Sequence, residues 1–297
     1  MGEQALVVGA VDIGTNSMRL LVTDGEHDFE RITRVTGLGR GVDATGRLSA
    51  SAMERTIGAL TEFGEIMTSL EVTARRAIAT SASRDAENRE EFFDLAELAL
   101  GVRPDLISGD EEAHLAFLGA TSHLGDPSGM MVSDIGGGST EFVDQTGGVS
   151  VDIGTVRLTE RVMPDRPPSP AQMEAARQVV LDRFSSVVVQ PGAKLTGVAG
   201  TWTSLAAIGL DLVEYDRSMV HQSELTAAEI DGLIQRLSGL SLEETEAIPA
   251  LDPNRAPVIL AGAVLAAGVM ETLGADHVTI SERDSLDAVA SRLLALP

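Results

Sequence analysis

Two short apolar runs open the chain, Ala5 to Val11 and Met18 to Thr23, with the polar turn Asp12-Ile13-Gly14-Thr15-Asn16-Ser17 between them. Runs of that length around a glycine-containing turn predict a pair of strands. The period then changes. Met53, Ile57, Leu60, Phe63 and Met67 recur at helical spacing behind Ser51-x-x-Glu54, which has the form of a capping box. Ala74 to Ala79 predicts a strand and Glu87 to Leu100 a helix. Leu106-Ile107 leads into Ser108-Gly109-Asp110-Glu111-Glu112 and a further helix that reaches Leu124.

Gly125 to Gly129 is made of chain breakers and polar residues. It is the expected boundary between a domain over 1–125 and one over 126–297. After it the pattern restarts. Met130 to Ser133 predicts a strand, Asp134-Ile135-Gly136-Gly137-Gly138-Ser139-Thr140 a turn, and Glu141 to Val143 a strand. Val11 to Ser17 aligns with Ser133 to Ser139, so that Asp12 corresponds to Asp134. Two such copies, each in a strand–turn–strand context, imply duplicated domains. Pro164 to Pro170 is a proline-rich loop, and Ser169-Pro170 suits the start of the helix that follows. Strand and helix segments alternate from there on, which implies α/β layers.

The 297 residues are 43% hydrophobic, enough for two domains with separate cores. With one Trp and one Tyr, those cores must be built from Val, Leu, Ile and Ala. The absence of cysteine excludes disulfides, thiolate nucleophiles and cysteine-ligated zinc. Met1 to Ala10 lacks the basic region and cleavage site of a secretory signal. The longest apolar run, Ala256 to Met270, lies between Arg255 and Glu271 and falls short of the roughly 20 residues that a bilayer requires. It is read as a buried helix, and the chain is expected to be cytoplasmic. The net charge of −23 repels nucleic acids and anionic membranes, so neither is an expected partner. A polyanionic ligand would need local attraction.

The two turns offer that attraction. A hairpin loop rich in Gly, Ser and Thr exposes successive backbone N–H groups, a concave nest for anionic oxygens. Gly14, Gly136, Gly137 and Gly138 supply the backbone, and Thr15, Asn16, Ser17, Ser139 and Thr140 add side-chain donors. Asp12 and Asp134 cannot face a bare phosphate. They suit a divalent cation that bridges to phosphate, magnesium with retained waters, with Asp134 the first choice of ligand and Asp12 the second. The structural alternative is a pair of ordinary Asp-Gly hairpins. No G-x-x-x-x-G-K-[ST] string is present, which argues against a P-loop NTPase.

Further segments accompany the turns: Thr80-Ser81-Ala82-Ser83-Arg84-Asp85-Ala86-x-Asn88, Ile107 to Ala113 and Gly197-Val198-Ala199-Gly200-Thr201. In this order, over nearly the whole chain, they resemble the exopolyphosphatase/guanosine pentaphosphate phosphohydrolase (Ppx/GppA) family. The resemblance implies two ribonuclease-H-like domains of the actin/Hsp70/sugar-kinase superfold, with the active site in an interdomain cleft. It is closest to the short, two-domain members, and it suggests a homodimer.

By the resemblance, Glu112 activates water and Glu141 assists. Capping logic agrees at the first site: Ser108 as N-cap pairs with Glu111 at N3, which leaves Glu112 for chemistry. Arg84 is expected to clamp phosphate with its planar fork, with Asn88 nearby, and Arg157 and Arg255 are further phosphate-binding candidates by family position. Gly197 to Thr201 stands where related kinases hold adenosine. His114 departs from the family pattern, which has arginine there in many members. The other histidines, His27, His123, His221 and His277, show no metal-ligand spacing.

The expected substrate is inorganic polyphosphate, hydrolysed at its terminal phosphoanhydride, with guanosine pentaphosphate as the alternative. A long chain would call for a basic track, and the densest basic stretch is Arg31, Arg34, Arg40 and Arg47. A kinase of the same superfold would more usually carry an aspartate base and require ATP. A non-catalytic sensor would not need the two glutamates.

Overall fold

The computed structural model describes residues 6–124, 126–188 and 192–296. The expectations placed on Ala5 and Gly125 lie outside the described residues. Two compact units are present, Met1–Ser122 with Ser285–Pro297, and His123–Asp284.

The first unit begins with β1 (Val8–Ile13), β2 (Ser17–Thr23) and β3 (Asp28–Val35). It continues through α1 (Val42–Thr45), α2 (Ala50–Ser69), β4 (Ala74–Ala79), α3 (Ser81–Asp85), α4 (Arg89–Leu100), β5 (Asp105–Leu106) and α5 (Gly109–Thr121). The sheet order is β3-β2-β1-β4-β5, antiparallel among the first three strands and parallel from β1 to β5.

The second unit holds β6 (Met130–Ile135), β7 (Thr140–Asp144), β8 (Gly147–Val151), α6 (Thr155–Val162), α7 (Pro170–Phe184), β9 (Lys194–Val198) and α8 (Ala199–Gly209). It is completed by α9 (Arg217–Val220), β10 (Glu224–Thr226), α10 (Ala227–Ser238), α11 (Leu242–Glu246), a 3-10 turn at Pro253–Arg255, α12 (Ala256–Leu273) and β11 (His277–Ile280). Its sheet runs β10-β11-β9-β6-β7-β8. Without the edge strand β10, the order and strand directions repeat those of the first sheet. The fold is therefore the expected one, two ribonuclease-H-like α/β units.

Strand alternation explains the layers of the first unit. On β1, Val11 and Ile13 join the core formed with α2 and α4, including Leu60, Phe63, Phe92 and Ala96. Val8 and Ala10 point the other way and pack with Leu115 of α5 and with Leu286, Val289 and Leu293 of α13 (Ser285–Leu294). The domain division expected from sequence kept this last segment with the second half. The structure assigns it to the first unit, because α5 alone does not cover that sheet face.

Two local differences have physical causes. Helix α2 is capped by Ser49, whose hydroxyl accepts from the Ala52 N–H, rather than by Ser51. Leu48 and Met53 flank that cap inside one core cluster at the spacing of a hydrophobic staple, which selects the earlier serine. Strand β3 is exposed or half-buried along its whole length, so it carries no alternating pattern to read. Ser169 caps α7 as expected, and its N–H donates in return to the Gln172 side chain. Pro253–Leu273 is long and apolar enough to cross a membrane, yet α12 is mostly buried in the core of the second unit.

Candidate functional site

In the first unit, the Gly14 N–H donates to the Ser17 carbonyl at 3.0 Å and closes the β1–β2 loop. The Asn16 carbonyl accepts from Thr36 and Gly37 at 3.0 and 2.9 Å, and the Thr15 carbonyl from Gly39 at 2.8 Å. The oxygens that would repel an anion are thus taken up by the 36–39 segment. The Thr15 hydroxyl accepts from the Ala82 N–H at 3.1 Å, which ties the loop to α3. Asn16 is buried, and its Oδ1, an acceptor, has no hydrogen-bond partner, so it retains capacity for a donor such as water.

Glu112 lies in the first turn of α5, and Ser108 caps that helix by accepting from the Glu111 N–H at 3.2 Å. The Glu111 carboxylate does not return to the cap. It lies 3.6 Å from Arg76 and 3.7 Å from Arg292, so the reciprocal half of the expected capping box is absent. Glu112 instead accepts from Arg84 Nη1 at 2.8 Å, and the same nitrogen donates to the Ile107 carbonyl at 3.1 Å. Burial pushes the Glu112 carboxyl above its ordinary value. Arg84 opposes this through charge and hydrogen bond, while Asp12 adds to it and Arg19 subtracts. Asp12 is 5% exposed and bonds Arg19, its cross-strand partner on β2; Arg19 also reaches Ser285 Oγ at 3.1 Å.

The second unit repeats the loop. The Gly136 N–H donates to the Ser139 carbonyl at 3.0 Å, the same bond as Gly14 to Ser17. The start of α6 lies on this loop: Thr155 and Val156 N–H donate to the Gly136 and Gly137 carbonyls at 3.0 and 2.8 Å, and Arg157 N–H to Gly137 at 3.4 Å. The start of α8 joins it, because the Thr201 hydroxyl donates to the Ile135 carbonyl at 2.7 Å. Ala199 at this turn has φ +65°, a left-handed conformation unusual for alanine. The Arg255 guanidinium lies where a Gly200 side chain would be. Loop 136–140, Arg157 and Arg255 are therefore linked through the ends of α6 and α8. The Thr140 hydroxyl is committed to the Ile153 carbonyl at 2.7 Å.

Asp134 and Glu141 are cross-strand partners on β6 and β7, 6% and 0% exposed. Ser150 Oγ donates to Glu141 Oε1 at 2.6 Å. Two buried carboxylates side by side offer paired hard oxygens, which fit magnesium. Among the described residues no group of three or more His, Asp or Glu forms a metal cage. Two carboxylates match an ion that keeps waters and phosphate oxygens as its remaining ligands. The repeat that carries Asp12 onto Asp134 carries Arg19 onto Glu141. In the first unit the aspartate at this position bonds the arginine across from it.

Other residues stand apart. Asn88 accepts from the Leu48 N–H at 2.9 Å and donates to the Leu48 carbonyl at 3.0 Å, so its amide fastens the 46–48 segment. Arg31 pairs with Asp287, Arg34 with Glu62 and Arg47 with Glu87. His114 is exposed on α5. Arg19, Ser150 and Ser285 escaped sequence reading, although the repeat offset alone places Arg19 at the position of Glu141.

Comparison with known proteins agrees with this geometry. The model of the Ppx/GppA phosphatase family matches residues 22–292. Exopolyphosphatase 2 of Mycobacterium tuberculosis is 39% identical over 96% of this chain and 98% of its own length. The crystal structure of an exopolyphosphatase-like protein superposes with a TM-score of 0.91 at 36% identity, covering 95% of this chain and 97% of that one. A Ppx/GppA family member from Aquifex aeolicus gives a TM-score of 0.80 at 30% identity, over 97% and 98% of the two chains.

Proposed function

Because the chain belongs to the Ppx/GppA phosphatase family, we propose that it is an exopolyphosphatase, hydrolysing the terminal phosphoanhydride of inorganic polyphosphate. The observation that carries this reading is Glu112, a desolvated carboxylate held by Arg84 and displaced upward in its protonation equilibrium. A general base works best when that equilibrium lies toward the operating pH.

Glu112 orients a water molecule and accepts its proton as the water oxygen attacks the terminal phosphorus, and the shortened chain leaves. Arg84 keeps the carboxylate ionised and presents its remaining N–H groups to phosphate. The loops at Gly14–Ser17 and Gly136–Thr140 bind phosphoryl oxygens through backbone N–H groups, helped by Asn16, Arg157 and Arg255. Magnesium, when held by Asp134 and Glu141, would neutralise charge on those oxygens. Ser150 fixes Glu141 for that task. The setting is cytoplasmic, and the chain acts as a homodimer.

Guanosine pentaphosphate is the second reading. It draws support from the carboxylates on Arg31, Arg34 and Arg47, which leave that stretch unsuited as a track for long chains. The test is phosphate release with magnesium from short polyphosphate, long polyphosphate, guanosine pentaphosphate and ATP. Preferential turnover of polyphosphate is expected. Reaction with ATP and an alcohol acceptor alone would overturn the reading in favour of a kinase.

A further inference from the structure

Helix α3 is five residues long and carries Arg84, the partner of Glu112. A helix of that length has little stability of its own, because its first N–H groups find no partners within it. Thr80 stands at its N-cap and makes no side-chain bond to it. The Ser83 and Arg84 N–H groups reach the Thr80 carbonyl, both at 3.0 Å. The Ala82 N–H goes elsewhere, to the hydroxyl of Thr15 at 3.1 Å, 67 positions away in the chain. Both residues are buried, so water is poorly placed to replace this bond.

The threonine is held in the orientation that the bond requires. A Cβ on Gly39 would stand 2.4 Å from Thr15 Cγ2 and 3.1 Å from the Ala82 Cβ. The Thr15 methyl thus fills the space beside Gly39, and the hydroxyl faces α3. From α3 the contact continues to the carboxylate, where Arg84 Nη1 donates to Glu112 Oε2 at 2.8 Å. The charged groups that act on Glu112 are Arg84, Asp12 and Arg19.

We propose that Thr15 is a positioning residue whose hydroxyl caps α3 from the Gly14–Ser17 loop and so sets where Arg84 meets Glu112. Loop and base are then one unit: a loop that moves carries the arginine with it. The proposal rests on the reading of Glu112 as the base. Two other roles compete with it. A phosphate donor would change KM and leave the ionisation of Glu112 alone. A plain tie within the fold would change stability only.

The experiment measures kcat, KM and the pH dependence of kcat/KM on short polyphosphate with magnesium, with thermal unfolding in parallel. In Thr15→Val the acid limb should move up by about 0.5–1 pH unit, toward its place in Arg84→Met. The direction follows because Glu112 loses part of the charge-assisted bond that keeps it ionised. Thr15→Ala also lacks the hydroxyl and cannot crowd α3. It should do the same, and it decides the matter if the valine variant does not fold. Thr15→Ser should keep the wild-type limb, and Thr15→Ala added to Arg84→Met should move the limb no further. A limb that stays in place without the hydroxyl overturns the proposal: a rise in KM would then make Thr15 a phosphate ligand, and a fall in Tm alone a tie. A shift in Thr15→Ser as large as in Thr15→Ala, or a further shift in the double variant, overturns it as well. An unmoved limb in Arg84→Met overturns the account of Arg84 and Glu112 together with the proposal.

Discussion

Gly154→Ala adds one methyl group and no charge, and the packing around loop 136–140 dictates its effect. Gly154 has φ −140° and ψ −178°, extended backbone that alanine adopts without strain. The added Cβ would lie 2.5 Å from Gly137 C, 2.6 Å from Gly137 O and 2.6 Å from Gly138 N. Ordinary contact begins at 3.4 Å, so loop and helix must separate by about 0.9 Å. All three neighbours are backbone, and no rotamer change relieves them. Overpacking of this kind costs about 1–3 kcal/mol, a fall in Tm of a few degrees for a chain of this size. A displacement of about 1 Å in a positioning element lowers turnover by about 100-fold. The assay is phosphate release from short polyphosphate, with thermal unfolding measured in parallel. Gly232→Ala in α10 is the control, because nothing lies within 4 Å of its added Cβ. It should leave turnover unchanged and raise stability by up to about 1 kcal/mol. Wild-type turnover in Gly154→Ala would refute the role of this loop.

Arg84→Met removes a charge-assisted hydrogen bond of about 1.5–3 kcal/mol from the ionised form of Glu112. The ratio of ionised to protonated Glu112 then falls about 10- to 100-fold, so the acid limb of the kcat/KM profile moves to higher pH. A loss of activity with the limb unmoved would confine Arg84 to phosphate contact. Asn88→Ala should lower stability by about 1–3 kcal/mol through the two Leu48 bonds, with KM unchanged. A large rise in KM at constant Tm would instead place Asn88 on the substrate. Chelation with EDTA should abolish phosphate release and added magnesium should restore it, and indifference to EDTA would remove the metal from the mechanism.

The two glycine loops were more legible in the sequence than the packing around them. A tight loop between antiparallel strands draws on glycine and small hydroxyl residues in a fixed order, so the matching bonds that close Gly14 to Ser17 and Gly136 to Ser139 were foreshadowed by their letters. The repeat between them also foretold the duplicated sheets. It went further than was read, because it aligns Arg19 with Glu141, so the aspartate of each copy faces a different residue across the strands. Helix α13 was not legible in this way. Its apolar face, Leu286, Val289 and Leu293, would suit any sheet, and only distant contacts decide which sheet it covers. Strand β3 was missed because water reaches both its faces. Asn88 illustrates a residue whose motif position suggests chemistry while its hydrogen bonds serve the backbone.

Glu112 is the proposed base that deprotonates the attacking water. Glu112→Gln keeps the shape and a hydrogen-bonding head but removes the base. Single-turnover phosphate release and equilibrium binding of short polyphosphate, measured on the same preparation, test it directly. Release should fall about 10²- to 10⁴-fold with binding little changed. Release at close to the wild-type rate would contradict it.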